Sequence, residues 1–364
     1  MTALTPLELS TGMPFGATRR PPPLPAPTAG FEHAILPALR RAPCLVSFSG
    51  GRDSSAVLAA AAAIARREGL PAPVPATLRA PGVSESDEAT WQERVVAHLG
   101  LEDWVRIEVH DELDVIGPHA VRILRTHGLL WPCNVHFHLP LLNLARGGSL
   151  LTGIGGDELF SAAATPSRRR RAFGWAPAPV RRAVLARREP VEFEWLTPAA
   201  RRAATTARAA EAASEPRGVR DRMAWLRGLR YLDLALDAIA TVAADDDVEL
   251  AHPLFDAGLW SAVAARGGFA DRTTGMRALF GDLLPDDVLA RRSKASFDPV
   301  FFNRHSQAFA RNWDGTGAPT GLVDGEALGA HWRGGTPAAQ TFTLLQALWL
   351  ARDGIEQPLD ALAQ

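Results

Sequence analysis

Ser49-Gly50-Gly51-Arg52-Asp53-Ser54-Ser55 joins two glycines to a cluster of serines around one aspartate. It follows an apolar run, Cys44-Leu45-Val46-Ser47-Phe48, and opens onto the helix-like Ala56–Ala65. A buried strand thus passes through a glycine turn into a helix N-terminus. Such a turn aims backbone N–H groups and the positive end of the helix dipole at one point, which suits a phosphate. Glycine lets the backbone approach closely, and the hydroxyls of Ser49, Ser54 and Ser55 add donors. A second stretch, Gly153-Ile154-Gly155-Gly156-Asp157-Glu158-Leu159-Phe160, repeats the design after the apolar Ser149–Thr152.

Working outward, the pattern from Arg41 to Phe160 alternates strand and helix. Strands are expected at Cys44–Phe48, Val74–Leu78, Trp104–Val109 and Ser149–Thr152. Helices are expected at Ser54–Glu68, Ser86–Leu99, Ile116–Arg125 and Leu139–Ala145. Alternation of this kind predicts an α/β fold with a doubly wound parallel sheet and ligands at the carboxyl ends of its strands. Ser161–Gly218, rich in Ala, Arg and Pro, predicts irregular helices and mobile loops. Asp221–Ala240 predicts one long helix with Leu226, Leu229, Leu232, Leu236 and Ile239 on a face. A further helix is expected after Asp256, and Thr343–Ala351 closes the chain. Proline-rich residues 1–40 predict an arm, extended or partly ordered at Met1–Gly30. Residues 41–160 then form the nucleotide-binding part, and residues 161–364 a mainly helical half closing over it.

The loop at residues 49–55 resembles the pyrophosphate-binding loop of enzymes that cleave ATP to AMP and pyrophosphate. Together with Gly153–Phe160, it resembles the synthetase domain of the asparagine synthetase superfamily, which includes asparagine synthetases, β-lactam synthetases and lasso-peptide macrolactam cyclases. The resemblance implies that Ser49, Gly50, Gly51, Asp53, Ser54 and Ser55 cradle pyrophosphate, with Gly155 and Gly156 beside them. It also implies that strand Val74–Leu78, ending at Leu78, offers backbone contacts to adenine. Asp53 and Asp157 are the implied Mg²⁺ ligands. Bare carboxylates beside phosphates would repel them, so a hard cation between is a physical requirement too. The alternative roles are helix N-capping for Asp53 and turn formation for Asp157. The expected cofactors are ATP and Mg²⁺.

One lysine, Lys294, stands among 39 basic residues. Its surroundings, Leu284-Pro285-Asp286-Asp287-Val288-Leu289 leading to Arg292-x-Lys294-x-x-Phe297, resemble the family's catalytic-lysine segment. A compact ammonium and a planar guanidinium are not interchangeable in a tight site. Glu249, four residues before Pro253, lies in a segment resembling the family's Glu-x-x-x-Pro-Phe-Leu-Asp motif. It would face the acyl site, the alternative being a surface carboxylate.

The resemblance implies an AMP-forming ligase that joins a carboxylate, small-molecule or peptide, to an amine through an acyl-adenylate. One position departs from it. Three residues before Asp157, asparagine synthetases carry glutamate and β-lactam synthetases tyrosine, whereas this chain carries Ile154, which moves no proton. Tyr231, the single tyrosine, reads as structural. Candidate bases are then Glu249, His252, His136 and His138. Leu250-Ala251-His252-Pro253-Leu254-Phe255-Asp256 is most similar to lasso-peptide cyclases, which implies macrolactam formation. Amidation with ammonia and a non-catalytic nucleotide-binding subunit are the alternatives. With threonine at position 2 and the loop already at Ser49, no glutaminase domain is expected. A separate protein delivering precursor or ammonia is an expected partner.

A net charge of −1 favours neither nucleic acid nor an anionic membrane. The run Arg168–Arg171 reads as a solvated loop. Cys44 and Cys133 lack partner-like spacing and read as buried thiols of a reducing cytosol. No apolar run reaches the ~18 residues of a membrane span. A cytoplasmic protein is expected.

Overall fold

The computed structural model describes residues 4–17, 24–26, 30–165, 173–293 and 295–353. Lys294, Pro21–Pro23 and the run Arg168–Arg171 lie outside them.

Five short strands form one parallel sheet: β1 (Cys44–Ser47), β2 (Val74–Arg79), β3 (Val105–Glu108), β4 (Ser149–Leu151) and β5 (Glu249–Ala251). Their spatial order is β3-β2-β1-β4-β5. Side chains alternate across the pleat, so the sheet feeds two cores. Leu45, Leu78 and Leu150 enter one core. Cys44, Val46 and Leu151 enter the other. The central strands β1 and β4 read as apolar runs because both faces are covered by helices, whereas the edge strand β3 alternates half-buried Val105 and Ile107 with exposed Arg106 and Glu108. Register places Leu45 opposite Val74 on one side and Leu150 on the other. The connection therefore reverses beside β1, and the two glycine turns leave neighbouring strands at the same edge.

The fifth strand has no counterpart in the sequence reading. Three residues are too few to show a period, and β5 is supplied by the helical half, pairing Leu250 with Leu150.

Three other expectations are corrected. Residues Pro6–Thr11 of the arm form a helix, closed by a capping box in which Thr5 and Glu8 satisfy each other's backbone. Glu8 is buried in an ion pair with Arg230, and its Oε1 accepts from the Phe15 backbone at 2.8 Å. The expected helix Asp221–Ala240 is two, Val219–Arg227 and Arg230–Ala244. The break is held by the N-terminal segment, because the Arg230 N–H donates to the Gly16 carbonyl at 2.9 Å. Finally, Pro198–Ser214 is a regular helix of 17 residues. Its buried face consists of Ala200, Ala204, Ala209 and Ala213. Alanine has high helix propensity, but its small side chain leaves a faint apolar stripe.

Among the described residues, no helix is long and apolar enough to cross a membrane.

Candidate functional site

The first loop is built on the end of β1. The Thr77 hydroxyl donates to the Phe48 carbonyl at 2.7 Å, and the Phe48 N–H donates to Ala76 at 2.9 Å, so β2 fixes the stem. Gly50 turns through φ +83°, a backbone that L side chains rarely adopt. The Ser49 and Ser54 hydroxyls lie 3.1 Å apart across the turn, and the Ser54 hydroxyl also donates to the Gly51 carbonyl at 3.1 Å. Gly51 caps the helix Arg52–Glu68 with no side-chain bond. Asp53 therefore does not serve as its N-cap and is free for other work.

Arg291 braces the turn from outside. Its guanidinium donates to the Gly50 carbonyl at 2.9 Å, pairs with Glu88, and lies 4.8 Å over the Trp91 ring. Both Arg291 and Glu88 are buried. Ser296 donates its N–H to the Glu85 carbonyl at 2.9 Å. The segment around Lys294, which itself lies outside the described residues, is thus tied to the first loop at Arg291 and to the Glu85 backbone at Ser296.

The second loop, on β4, meets the first. Gly155 turns at φ +95°, and Gly156 begins the helix Gly156–Ala163. A Cβ at Gly156 would lie 2.6 and 2.7 Å from the Asp53 carboxylate oxygens. Only glycine lets Asp53 approach this closely.

Between the loops lies an arginine that sequence reading missed. Arg272, at the start of helix Arg272–Phe280, donates to Asp53 Oδ2 at 2.5 Å and to Asp157 Oδ1. Burial opposes the Arg272 charge, but Asp53 and Asp157 outweigh it and raise its pKa. Burial pushes the Asp53 carboxyl up, opposed by Arg272. Arg52 is pushed down by burial and by Arg272 nearby. In a chain with 39 basic residues, no signal distinguished Arg272 from the other arginines.

Several buried atoms here lack a partner: Asp53 Oδ1, Ser55 Oγ and Arg272 Nε. Unmade hydrogen bonds of this kind are costly, and their concentration at one place marks where a ligand completes the site. Two carboxylates around one cationic centre, with an orphaned carboxylate oxygen, fit a hard divalent cation that takes its other ligands from phosphate and water. Among the described residues no cluster of three or more His, Cys, Asp or Glu could hold a metal without such help. Leu78, buried near the end of β2, lies on the same carboxyl edge.

Glu249 is not brought to this edge. It opens β5 opposite Ser149, at the start of the parallel strands, and pairs with Arg41 at 3.5 Å. At ~3.3 Å per residue, the two ends of this three-residue strand lie about 7 Å apart, and position 252 just beyond it about 10 Å from position 249. Glu249, expected at the acyl site, thus stands at the amino end of β5 beside Arg41. The carboxyl end of β5 presents His252 instead, whose Nδ1 lies 2.7 Å from the Thr152 hydroxyl at the end of β4. Burial lowers the His252 pKa to about 4. His138 is lowered to about 4 by burial, with His252 and His136 contributing, and its Nδ1 is a buried atom without a partner. His136 is structural, wedged between the carbonyls of Leu113 at 2.8 Å and Cys133 at 3.2 Å.

Glu158 follows Asp157 in the second glycine motif. Burial raises its pKa, and Tyr231 donates a long hydrogen bond of 3.4 Å to it. Tyr231 also meets Trp131 edge-on. The side chain read as structural thus reaches the loop that carries Asp157.

A five-stranded parallel sheet flanked by helices, with glycine turns side by side at its carboxyl edge, defines the class of α/β protein. The family model described as asparagine synthase matches residues 33–351, and the chain belongs to that family. No curated protein matches the chain. Membership makes it an ATP-dependent amide-forming ligase at the family level.

Proposed function

We propose that this protein activates a carboxylate with ATP and joins it to an amine, releasing AMP and pyrophosphate. The observation that carries the reading is the convergence of Asp53 and Asp157, from separate glycine turns, on one cationic centre beside unpartnered Ser55 and Asp53 oxygens. A carboxylate resists amines because hydroxide leaves poorly. Attack of its oxygen on the α-phosphorus forms the mixed anhydride and breaks the bond to the β-phosphate oxygen. The amine then attacks the acyl carbon, AMP leaves, and one proton must be taken up.

Asp53 and Asp157 would hold Mg²⁺, which offsets phosphate charge when bound. The Ser49–Ser55 turn offers N–H and hydroxyl donors to the departing pyrophosphate. Arg272 supplies positive charge in the same place. Ile154 cannot take the amine's proton. We assign that proton to Glu158, whose half-buried carboxyl accepts from the Tyr231 hydroxyl at 3.4 Å beside Asp157.

The finer reading is a peptide substrate closed on itself as a macrolactam. It is supported by the similarity of Leu250–Asp256 to lasso-peptide cyclases. The test is incubation with α-labelled ATP and an acidic peptide bearing a free terminal amine. AMP together with a product lighter by one water supports the reading. ADP as the labelled product would overturn the AMP-forming mechanism, and incorporation of labelled ammonia would replace the internal amine.

A further inference from the structure

Behind the Gly156–Ala163 helix lies a cavity of about 1050 Å³, at the upper end of the size of small-ligand pockets. Its walls come from helices Ala178–Arg188, Pro198–Ser214 and Val219–Arg227. The cavity combines apolar surface with guanidinium groups. Phe173, Val184 and Leu185 supply apolar wall, and Trp175 stands 75% exposed at the rim. Arg217 stacks 3.8 Å over the Trp175 ring. Arg181 donates one N–H to the Glu215 carbonyl at 3.1 Å, while its Nε is buried with no acceptor. A guanidinium with a buried, unmatched N–H beside a stacked second guanidinium is suited to receive a carboxylate.

We infer that this cavity is a docking site for an acidic peptide segment bearing an apolar side chain. Arginines 181, 188 and 217 would take its carboxylates, and the Trp175 and Leu185 surfaces would take the apolar group. Two lining carboxylates argue for a peptide over a nucleic acid. Glu189, one of them, is 64% exposed and pairs loosely with Arg208 at 3.6 Å. Peptide N–H groups can donate to the exposed Glu189 carboxylate, whereas a phosphodiester backbone has no donor and is repelled.

The cavity also touches the site's framework. Arg222, on its wall, donates to the carbonyls of Ala162 at 2.7 Å and Ala164 at 2.6 Å, at the C-terminal end of the helix that begins with Gly156 and Asp157. A segment seated here would lie against the opposite end of that helix from the carboxylates. The inference stands whether or not the bound segment belongs to the substrate.

The test is fluorescence anisotropy of a labelled peptide of glutamates interrupted by leucine, titrated with the full chain. Arg181→Ala with Arg217→Ala should weaken binding by about tenfold or more, the loss expected for two charge-assisted contacts. Arg187→Ala with Arg202→Ala, an equal change of charge on exposed positions outside the lining, should leave affinity within about twofold. Circular dichroism on both double variants verifies folding. Equal losses in the two would overturn the site in favour of diffuse charge attraction. Binding of a labelled RNA oligomer as tight as the peptide, and equally sensitive to Arg181 and Arg217, would overturn the peptide assignment. Full competition by inorganic phosphate would reduce the site to a simple anion pocket.

Discussion

Replacing Gly156 by alanine isolates the close approach of the two loops from everything else. Gly156 opens its helix, and its φ lies outside the left-handed region, so alanine introduces no backbone strain. Within the helix alanine is favoured over glycine by about 1 kcal/mol, so stability should hold or rise slightly. The added Cβ, however, would lie 2.6 and 2.7 Å from the Asp53 oxygens. Ordinary contact needs about 3.5 Å, so the carboxylate must retreat by about 1 Å. Asp53 is short and follows the Gly51 turn by two residues, so the retreat requires rotating its side chain away from Arg272 and Asp157. A displacement of that size at a reacting centre costs on the order of 10²-fold in rate. The assay pairs a thermal melt with calorimetric binding of Mg²⁺-ATP and the yield of labelled AMP. The expected result is an unchanged melt with AMP formation down by about two orders of magnitude. A variant with native ATP binding and native AMP yield would refute the role of the Asp53–Gly156 contact.

Asp53→Asn and Asp157→Asn should each abolish the Mg²⁺ dependence of ATP binding while leaving the circular dichroism spectrum unchanged. Retention of that dependence in either would exclude it as a metal ligand. Lys294→Arg should lower AMP formation by about 10²–10³, since a preorganised point charge is replaced by a wider one. Native turnover would make the lone lysine incidental. His138 and His252 are held neutral, with pKa values near 4 against 6.5 for the ordinary side chain. The unfolded chain therefore binds more protons between these values, so stability falls as pH drops from 6.5 toward 4, by about 2–3 kcal/mol per histidine. Urea midpoints at pH 7 and pH 5 should show a smaller drop for His252→Gln than for the native chain. An equal drop would show that His252 is not held neutral by the fold.

Local pattern and tertiary arrangement divide this protein along physical lines. The glycine turns, the four strands β1 to β4 and the helix after Ser49–Ser55 are written in nearest-neighbour chemistry. Gly50 and Gly155 must turn where L side chains do not, and apolar runs must be buried on both faces. The pairing of Asp53 with Asp157 was legible because two such turns, each after a strand, can meet only at one sheet edge. Arg272 was not legible, since nothing local separates it from its fellow arginines. Its role comes from where helix Arg272–Phe280 begins. The position of Glu249 was not legible either. Its motif gave no strand at all, and only the parallel register shows that Glu249 opens β5 while His252 follows its carboxyl end. The split of the Asp221–Ala240 helix likewise depends on Gly16, more than 200 residues away in sequence. Sequence fixes what the backbone can do within a few residues. Which charges face each other is set by packing between distant segments, and that is decided only when the whole chain has folded.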